Sequence, residues 1–526
     1  MYLNKQDFPA AALMPWDVIV VGAGAVGLIL AVSLARARKR VLLLESGTRN
    51  VADANDLNDA IVTGRAHDGA LHGRGRSVGG TTILWGGQLT RFLPYDFEAR
   101  DITADCKWPI VFEDVEPYYL EVAAMLGLDC KYLADASVQS VLKSRGFEDR
   151  SAFEVFFTRW LREPNLARYF SEDLDGLEAL SVAPACHATQ ILGEPEGPRV
   201  MGIRAIDYGG AIHDFRAEKI VLACGTIEIS RLLLLTAKKA PRVAWAKNAN
   251  IGRYFQDHVD LLVGQVELQD RRAFSDMFEN ALINGYKYMP KIRMRTSVLR
   301  KAGCLNIAGN ARFDSSIAED VALLKNFVKS VMKGAKIDKP FQTLKRMSAL
   351  GRVWFPLIWR YVRHRRILAI AEGGISVTAS CEQRPMRDSR ITLDAEKVDR
   401  FGDPIVRLHW VIDERMQIES LQFFVAQLSG FLARECKAQL NVVPALLTGD
   451  AAILAQARDS YHQCGGARMA LNAEDGVVDA SCKVFGTTNL YVAGAAVFPT
   501  SSFANPTFTA MALARRLSNH LMVEAQ

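Results

Sequence analysis

The sequence predicts an α/β fold, in which a domain built on a parallel sheet is joined to a second domain built on a largely antiparallel sheet. Three observations carry that expectation. A glycine-rich turn, Gly22-Ala-Gly24-Ala25-Val-Gly27, separates a β-rich run from a helix-friendly run near the N-terminus. A second apolar run follows and closes on an acid, Glu45. Far downstream, residues 389–393 and 405–410 alternate in character around Asp399-Arg-Phe-Gly402, the pattern of an antiparallel hairpin.

Taken in order, residues 18–21 predict a buried strand, the glycine turn leads into a helix reaching about Arg38, and residues 40–45 predict a second strand. This is a βαβ unit with GxGxxG at the strand-to-helix turn, the Rossmann-like arrangement. Gly22 permits the tight turn, Gly24 lets backbone approach a pyrophosphate, and Gly27 packs helix on strand. Free N–H groups and the helix dipole favour the anion there. Glu45 follows Gly27 by 18 residues, where a carboxylate accepts from ribose hydroxyls and repels a 2′-phosphate, which argues against NADP. The fingerprint alone does not separate NAD from FAD. Residues 18–35 carry no charge, long enough on length alone to suggest a membrane span. Three glycines and the change from β-rich to helix-friendly character argue against one. The first twelve residues hold one Lys and no Arg, so no secretory signal is expected, and the expected location is cytoplasmic.

Composition places the chain among globular proteins. Of 526 residues, 49% are apolar and 23% charged, which excludes a disordered or fibrous chain. Nine Cys with no CxxC pair suit reduced thiols better than a disulfide framework, a zinc site or an exchange motif. No HExxH, GxSxG or GxxxxGK[ST] pattern is present, and no metal is expected. The net charge of +6 is local: twelve Lys or Arg and one acid, Asp338, stand between Leu324 and Arg366. A general nucleic-acid binder is therefore not expected.

Five further blocks resemble the glucose–methanol–choline (GMC) family of flavin oxidoreductases. Arg76-Ser-Val-Gly79-Gly80-Thr81-Thr-Ile-Leu-Trp85-Gly-Gly87 looks like its flavin loop. Residues 220–234, which include Ala223, Gly225 and Glu228, resemble its second signature, with Ile229-Ser230 where relatives more often carry Thr-Pro. Residues 250–258, ending in Asp257-His258, resemble a third block. His462-Gln-Cys-Gly465-Gly466-Ala-Arg468-Met469 resembles the catalytic-histidine segment. Asn489 to Thr507, with Gly494, Ala495, Asn505, Pro506 and Thr507, resembles the C-terminal flavin segment. The blocks occur in family order from one end of the chain to the other.

The resemblance implies FAD as cofactor and an architecture of the GMC, p-hydroxybenzoate-hydroxylase-like kind. The expected FAD domain is discontinuous, comprising 1–105, 171–260 and 456–526. A cap covers 106–170. The substrate domain covers 261–455 and carries a basic helical insertion at about 316–368. His462 matches the family's base and Asn505 its hydrogen-bonding partner. Such chemistry needs a general base for the hydroxyl proton beside the hydride acceptor, and His suits that role. Gly22, Gly24, Ala25, Gly27, Glu45, Arg76, Gly79, Gly80, Thr81, Trp85, Gly87, Ala223, Gly225, Gly494, Ala495, Asn505, Pro506 and Thr507 are the expected cofactor contacts. The ending Asn505-Pro-Thr and the Trp85 loop look most like pyranose oxidases and bacterial sugar or glycoside dehydrogenases. Some of those bind FAD covalently through a His before the Trp; here that residue is Leu84, so non-covalent FAD is expected.

A pyranose or glycoside is the expected substrate. A lipid-linked or sterol-like alcohol, and a lyase with non-redox flavin, are alternatives. His187, His213, His409 and His520, with the pair Asp257-His258, are expected to be structural, and Cys464 to pack near the flavin. In 324–366 apolar residues recur at helical spacing, with Lys on another face, and aromatics precede an Arg cluster. That pattern suits a solvated insertion, a helix lying on the inner face of a membrane, or a surface for an electron-acceptor partner.

Overall fold

The computed structural model describes residues 1–49, 55–103, 105–142, 151–194, 197–314, 359–360, 362–369, 371 and 373–523. The insertion expected at 316–368 and the docking role expected of 324–366 fall mostly outside them. Within the described part, Arg360 pairs with Asp276 and Glu279 at 2.6 and 2.7 Å. Arg366 donates to the carbonyls of Glu279 and Asp276. Those two cations therefore serve the protein's own packing. No helix among the described residues is long and apolar enough to cross a membrane.

The N-terminal expectation holds at the level of register. Trp16–Val21 pairs in parallel with Val41–Leu44 on one side and with Ile212–Leu222 on the other. Leu180–Ala183 and Leu490–Val492 extend the parallel sheet at its two ends. Ile212–Leu222 is long enough to do two jobs. Its second half belongs to the parallel sheet, while its first half joins an antiparallel meander with Val200–Asp207 and Cys186–Gly193. The helix Ala25–Arg36 buries Leu28 through Ala35, since both faces of such a sheet must be covered.

The second sheet has nine strands, in the order Ala438–Val442, Val259–Leu268, Gly374–Cys381, Ile307–Asp314, Tyr286–Met294, Phe153–Trp160 and Gln88–Leu89, with Ala281–Ile283 and Arg458–Asp459 paired beside this path. The pairs are antiparallel. One face packs on the helix Glu414–Cys436, where Phe153 meets Phe424 and Phe431 with ring centres 5.4 and 5.3 Å apart. The other face looks toward the parallel-sheet domain.

Two placements differ from the sequence reading. Residues 106–170 are not only a cap, because their strand Phe153–Trp160 sits inside the antiparallel sheet, paired with Tyr286–Met294 over eight residues. The hairpin also forms, as Arg390–Val398 and Pro404–Trp410, but it does not join that sheet. It pairs in parallel with Ala60–Gly64 to make a separate three-stranded sheet. The turn explains why. Arg231 Nη2 holds the Asp399 carboxylate at 2.6 Å, and its Nε donates to the Pro404 carbonyl at 2.9 Å. That pins the hairpin to the helix Thr226–Lys239 of the parallel-sheet domain.

Candidate active site

A cavity of about 600 Å³ runs between the two domains, within the size range of cofactor and ligand sites. Its walls come from the glycine turn, the Arg76–Gly86 loop, the start of helix Thr226–Lys239, the 460–463 segment and the 493–507 segment. Of the expected cofactor contacts, Gly22, Gly24, Ala25, Glu45, Arg76, Gly80, Thr81, Trp85, Ala223, Gly225, Gly494, Ala495, Asn505, Pro506 and Thr507 line it, together with His462. Gly27, Gly79 and Gly87 do not. Gly27 lies behind the wall, where an added Cβ would stand 1.9 Å from the Gly22 carbonyl oxygen. Gly79 faces Ala167 and Asn165, and Gly87 faces Leu161 and Pro164.

Two expected ligands do more scaffolding than the sequence suggests. Glu45 is buried. Its Oε2 accepts from the N–H of Ala23 at 2.9 Å, and its Oε1 from the N–H of Gly47 at 2.8 Å and the Ser46 hydroxyl at 3.2 Å. A carboxylate offers about four lone-pair positions, so one remains for a ribose hydroxyl. Burial pushes its pKa up, against the pull of the Gly47 and Ala23 donors. Arg76 donates to Asn58 Oδ1, the Ser46 hydroxyl and the Leu57 carbonyl, and pairs with Glu228 at 2.9 Å. Burial alone would raise the Glu228 pKa, but Arg76, Arg231 and Arg74 outweigh it and hold the group well below the usual carboxylate range.

The cavity fits a flavin dinucleotide on its own features. Gly225 and Gly494 line it with φ of +87° and +130°, and a Cβ built on either meets nothing within 4 Å. Backbone is thus presented bare to the cavity at both points, in a region that only glycine adopts readily. His187, expected to be structural, also lines the cavity, and its Nε2 is buried with no hydrogen-bond partner among the described residues. Burial, with Arg76 and Arg231 nearby, lowers its pKa to about 3. A buried orphan nitrogen of this kind calls for a partner, and a dinucleotide in this cavity would be able to supply one.

The chemistry sits at the other end. Gln256 and Cys464 exchange backbone hydrogen bonds at 3.0 and 2.8 Å, which lays the 460–466 segment against residues 254–258. The approach is close: a Cβ on Gly465 would stand 2.1 Å from the Tyr254 carbonyl oxygen. Asp257, wholly buried, ties the crossing together. Its Oδ1 accepts the backbone N–H of His258, Ser460 and His462 at 2.7, 3.2 and 3.0 Å, and its Oδ2 accepts from His67 Nε2 at 3.1 Å. Burial would raise its pKa, but the His67 hydrogen bond and the neighbouring His67, His462 and His258 rings bring it below the ordinary value.

His462 Nε2 then lies 2.8 Å from Asn505 Nδ2, and His462 Nδ1 lies 3.0 Å from His258 Nδ1. His258 Nε2 reaches the Ser501 carbonyl at 3.4 Å. A carbonyl can only accept, so His258 carries its proton on Nε2 and its Nδ1 is a bare acceptor. His462 therefore donates from Nδ1 and leaves Nε2 with a free lone pair, which takes the Asn505 N–H. The Thr90 hydroxyl donates to Asn505 Oδ1 at 3.4 Å and keeps the amide in that orientation. Burial, then the His258 ring and the Lys291 charge, lower the His462 pKa to about 3 against the opposing pull of Asp257. The ring is a free base at neutral pH.

His258, expected to be structural, makes direct ring contact with His462, with Nδ1 atoms 3.0 Å apart. Nothing in its spacing from His462 signals the contact. Gln88, Trp160 and Tyr461 line the cavity, which His258 does not, and no motif marks those three. Cys464 is buried, donates to the His462 carbonyl at 3.1 Å and does not line the cavity. Burial pushes its thiol well above the ordinary range, which makes it unreactive. Replacing His258 with Ala removes the acceptor that fixes the His462 tautomer. We expect turnover to fall about 10- to 100-fold, as for other residues that orient a functional imidazole, with FAD content unchanged. Steady-state rates beside the flavin spectrum check this.

Residues 385–514 match the family described as GMC oxidoreductase, and residues 20–81 match an NAD(P)-binding Rossmann-like domain. Paromamine 6′-oxidase of Streptomyces fradiae is 32% identical over 126 residues, 22% of this chain and 23% of that protein. The chain thus aligns with about a quarter of the length of that relative, and of a second one like it. 2-Methyl-1,2-propanediol dehydrogenase of Mycolicibacterium austroafricanum is 23% identical across 96% of this chain and 95% of its own length. A crystal structure of formate oxidase superimposes with a TM-score of 0.57 at 16% identity, covering 97% of this chain and 98% of that one, which speaks to the fold alone. The cofactor of the matched family is FAD, a dinucleotide that the residues lining the cavity would fit.

Proposed function

Because the chain belongs to the GMC oxidoreductase family, we propose that it oxidises a CH–OH group of a sugar or glycoside to the carbonyl, with His462 as the base and Asn505 as its partner. The observation that carries this reading is the His462 Nε2 to Asn505 Nδ2 approach of 2.8 Å on the cavity wall. Non-covalent binding of FAD belongs to the same proposal, since Leu84, the cavity residue beside Trp85, offers no atom for a covalent bond.

Bound FAD supplies the hydride acceptor. The rest falls to the chain's own residues. A substrate hydroxyl enters between His462 and Asn505 and replaces their mutual hydrogen bond. His462 Nε2 takes the hydroxyl proton while the carbinol hydrogen leaves with its electron pair, so the alcohol loses two electrons and two hydrogens. Asn505 Nδ2 donates to the same oxygen as its charge builds, and the helix Pro506–Val523 begins at the next residue. Fixed donors aimed at developing charge need no reorganisation at the moment of reaction. Holding base, donor and reacting carbon in one cavity makes the transfer effectively intramolecular.

Anaerobic spectra of the purified protein with a panel of pyranoses and glycosides test the reading. Bleaching of the oxidised flavin band is expected, and an unbleached band with every sugar would refute the substrate class. The same assay tests the base. Activity is lost as pH falls through the base's pKa, and for His462 that value lies far below the ordinary 6.5. The reduction rate should therefore hold as pH drops from about 8 to about 5, whereas an unshifted imidazole would cost more than tenfold over that range.

A further inference from the structure

The antiparallel sheet turns toward the active site a face on which a few polar atoms have no partner among the described residues, while Arg293 on the same face pairs with Glu154. Side chains alternate along a strand, so pairings assign the face. Asp260 lies opposite Ser380, Ser380 opposite Ala308, and Ala308 opposite Arg293, which puts these four on one face. Arg293 stands over the Phe156 ring at 4.9 Å, and Phe156 meets Phe503 at 5.4 Å, two residues before Asn505. Met289 and Lys291 share the face with Arg293, and Met289 touches the cavity residue Gln88 at 3.9 Å. His258, which meets His462, precedes Asp260 by two residues, just before the strand begins.

Three groups on this face are unusual. Asp260 Oδ1 and Asn310 Oδ1 are buried without a hydrogen-bond partner among the described residues. Lys291 makes no ion pair among the described residues; burial lowers its pKa against the opposing charge of Asp260, and its own charge lowers that of His462. None of the three belongs to the lining of the cavity itself; the link to it runs through Met289, on the strand of Lys291, which touches the lining residue Gln88. Leaving a buried carboxylate oxygen and a buried amide oxygen unpaired is costly unless something else pairs with them, and the half-buried Lys291 beside them adds a donor. An apolar alcohol could not satisfy these groups. A ring bearing several hydroxyls, each both donor and acceptor, matches two acceptors and one donor spread over a flat surface.

We propose that Asp260, Lys291 and Asn310 form a hydroxyl-recognition wall that grips a polyhydroxylated ring and turns one of its carbons toward His462. This rests on the sugar reading given above and names the residues that would carry its specificity.

The test uses the FAD-loaded full chain, with Asp260→Asn and Lys291→Met as near-isosteric variants and Asn310→Ala as a third. On the best pyranose or glycoside, KM should rise about 10- to 100-fold for each charged position, the worth of one or two hydrogen bonds to a charged group. The kcat should stay within about threefold, because the wall positions the ring and does not touch the reacting bond. FAD content should not change. If wild type turns over sugars and the variants keep its KM, the wall is overturned and the substrate class stands. An equal fall in kcat with unchanged KM also overturns it, by assigning these residues a structural role. If wild type oxidises 2-methyl-1,2-propanediol but no pyranose or glycoside, the substrate class fails, and the wall with it.

Discussion

Replacing His462 with Ala will leave FAD bound and lower the rate at which substrate reduces it by about 10²- to 10⁴-fold, the usual worth of a positioned general base. In free energy this is about 3 to 5.5 kcal/mol of transition-state stabilisation. The backbone at this position is held by Asp257 through the His462 N–H, a bond that alanine keeps. The crossing of Gln256 and Cys464 is also made by main chain. The variant should therefore fold, and the loss should fall on chemistry. The second-order rate and the limiting rate should decline together, since the proton is taken only in the transition state. Rapid-mixing flavin reduction checks the result. A variant that reduces as fast as wild type would take the base away from His462. Asn505→Ala should cost less, because it removes a hydrogen bond to the reacting oxygen and leaves the base in place.

What could be read in advance follows from how local each feature is. The βαβ unit is written within some thirty consecutive residues, and its strand, turn, helix and acid each constrain the next. The parallel pairing of Val18 to Val41 and onward is what that pattern implies. The antiparallel sheet is different. Phe153–Trp160 finds its partner in Tyr286–Met294, and a strand's own alternation says that it is half-buried without saying which distant strand lies beside it. Its segment was therefore legible as ordered but not as part of the sheet. The hairpin at 390–410 shows the same limit: its turn chemistry predicted the pair, while its docking depends on Arg231 from another domain.

The site divides along the same line. His462 and Asn505 were legible because each stands in a motif, and the structure brings them together. His258 also stands in a motif, but its role depends on which way a strand's side chains point and what waits there. Glu45 and Arg76 line the cavity as expected, yet most of their hydrogen-bonding capacity goes to the protein. A buried carboxylate or guanidinium must be satisfied whether or not a ligand is present, and a sequence pattern cannot tell these duties apart.

Replacing Gly27 with Ala will abolish stoichiometric FAD binding. The added Cβ would stand 1.9 Å from the carbonyl oxygen of Gly22 and 3.6 Å from the Ala223 side chain. The first contact is with backbone, which has no rotamer to relieve it. Relief needs a shift of more than 1 Å of either the helix Ala25–Arg36 or the turn before it, and such overpacking typically costs about 1–3 kcal/mol. Neither can move freely. The helix is buried from Gly27 to Ala35, and the turn's Gly22 has φ of +105° with Cys224 Cα only 2.6 Å from where its own Cβ would stand. Any shift displaces the backbone proposed to meet the pyrophosphate and moves the helix N-terminus off its axis, so cofactor affinity is expected to fall together with stability. Gly24→Ala separates the two effects. Its Cβ would meet nothing closer than Gly80 Cα at 4.0 Å, so the fold has room for it, while its position on the cavity wall puts the methyl against the cofactor. Thermal melts of apo and FAD-loaded protein should show Gly24→Ala melting like wild type without FAD and gaining less on its addition. Gly27→Ala should melt lower in both states. A Gly27→Ala protein that melts like wild type and holds one FAD would mean that the helix packs on the turn less tightly than the 1.9 Å approach implies.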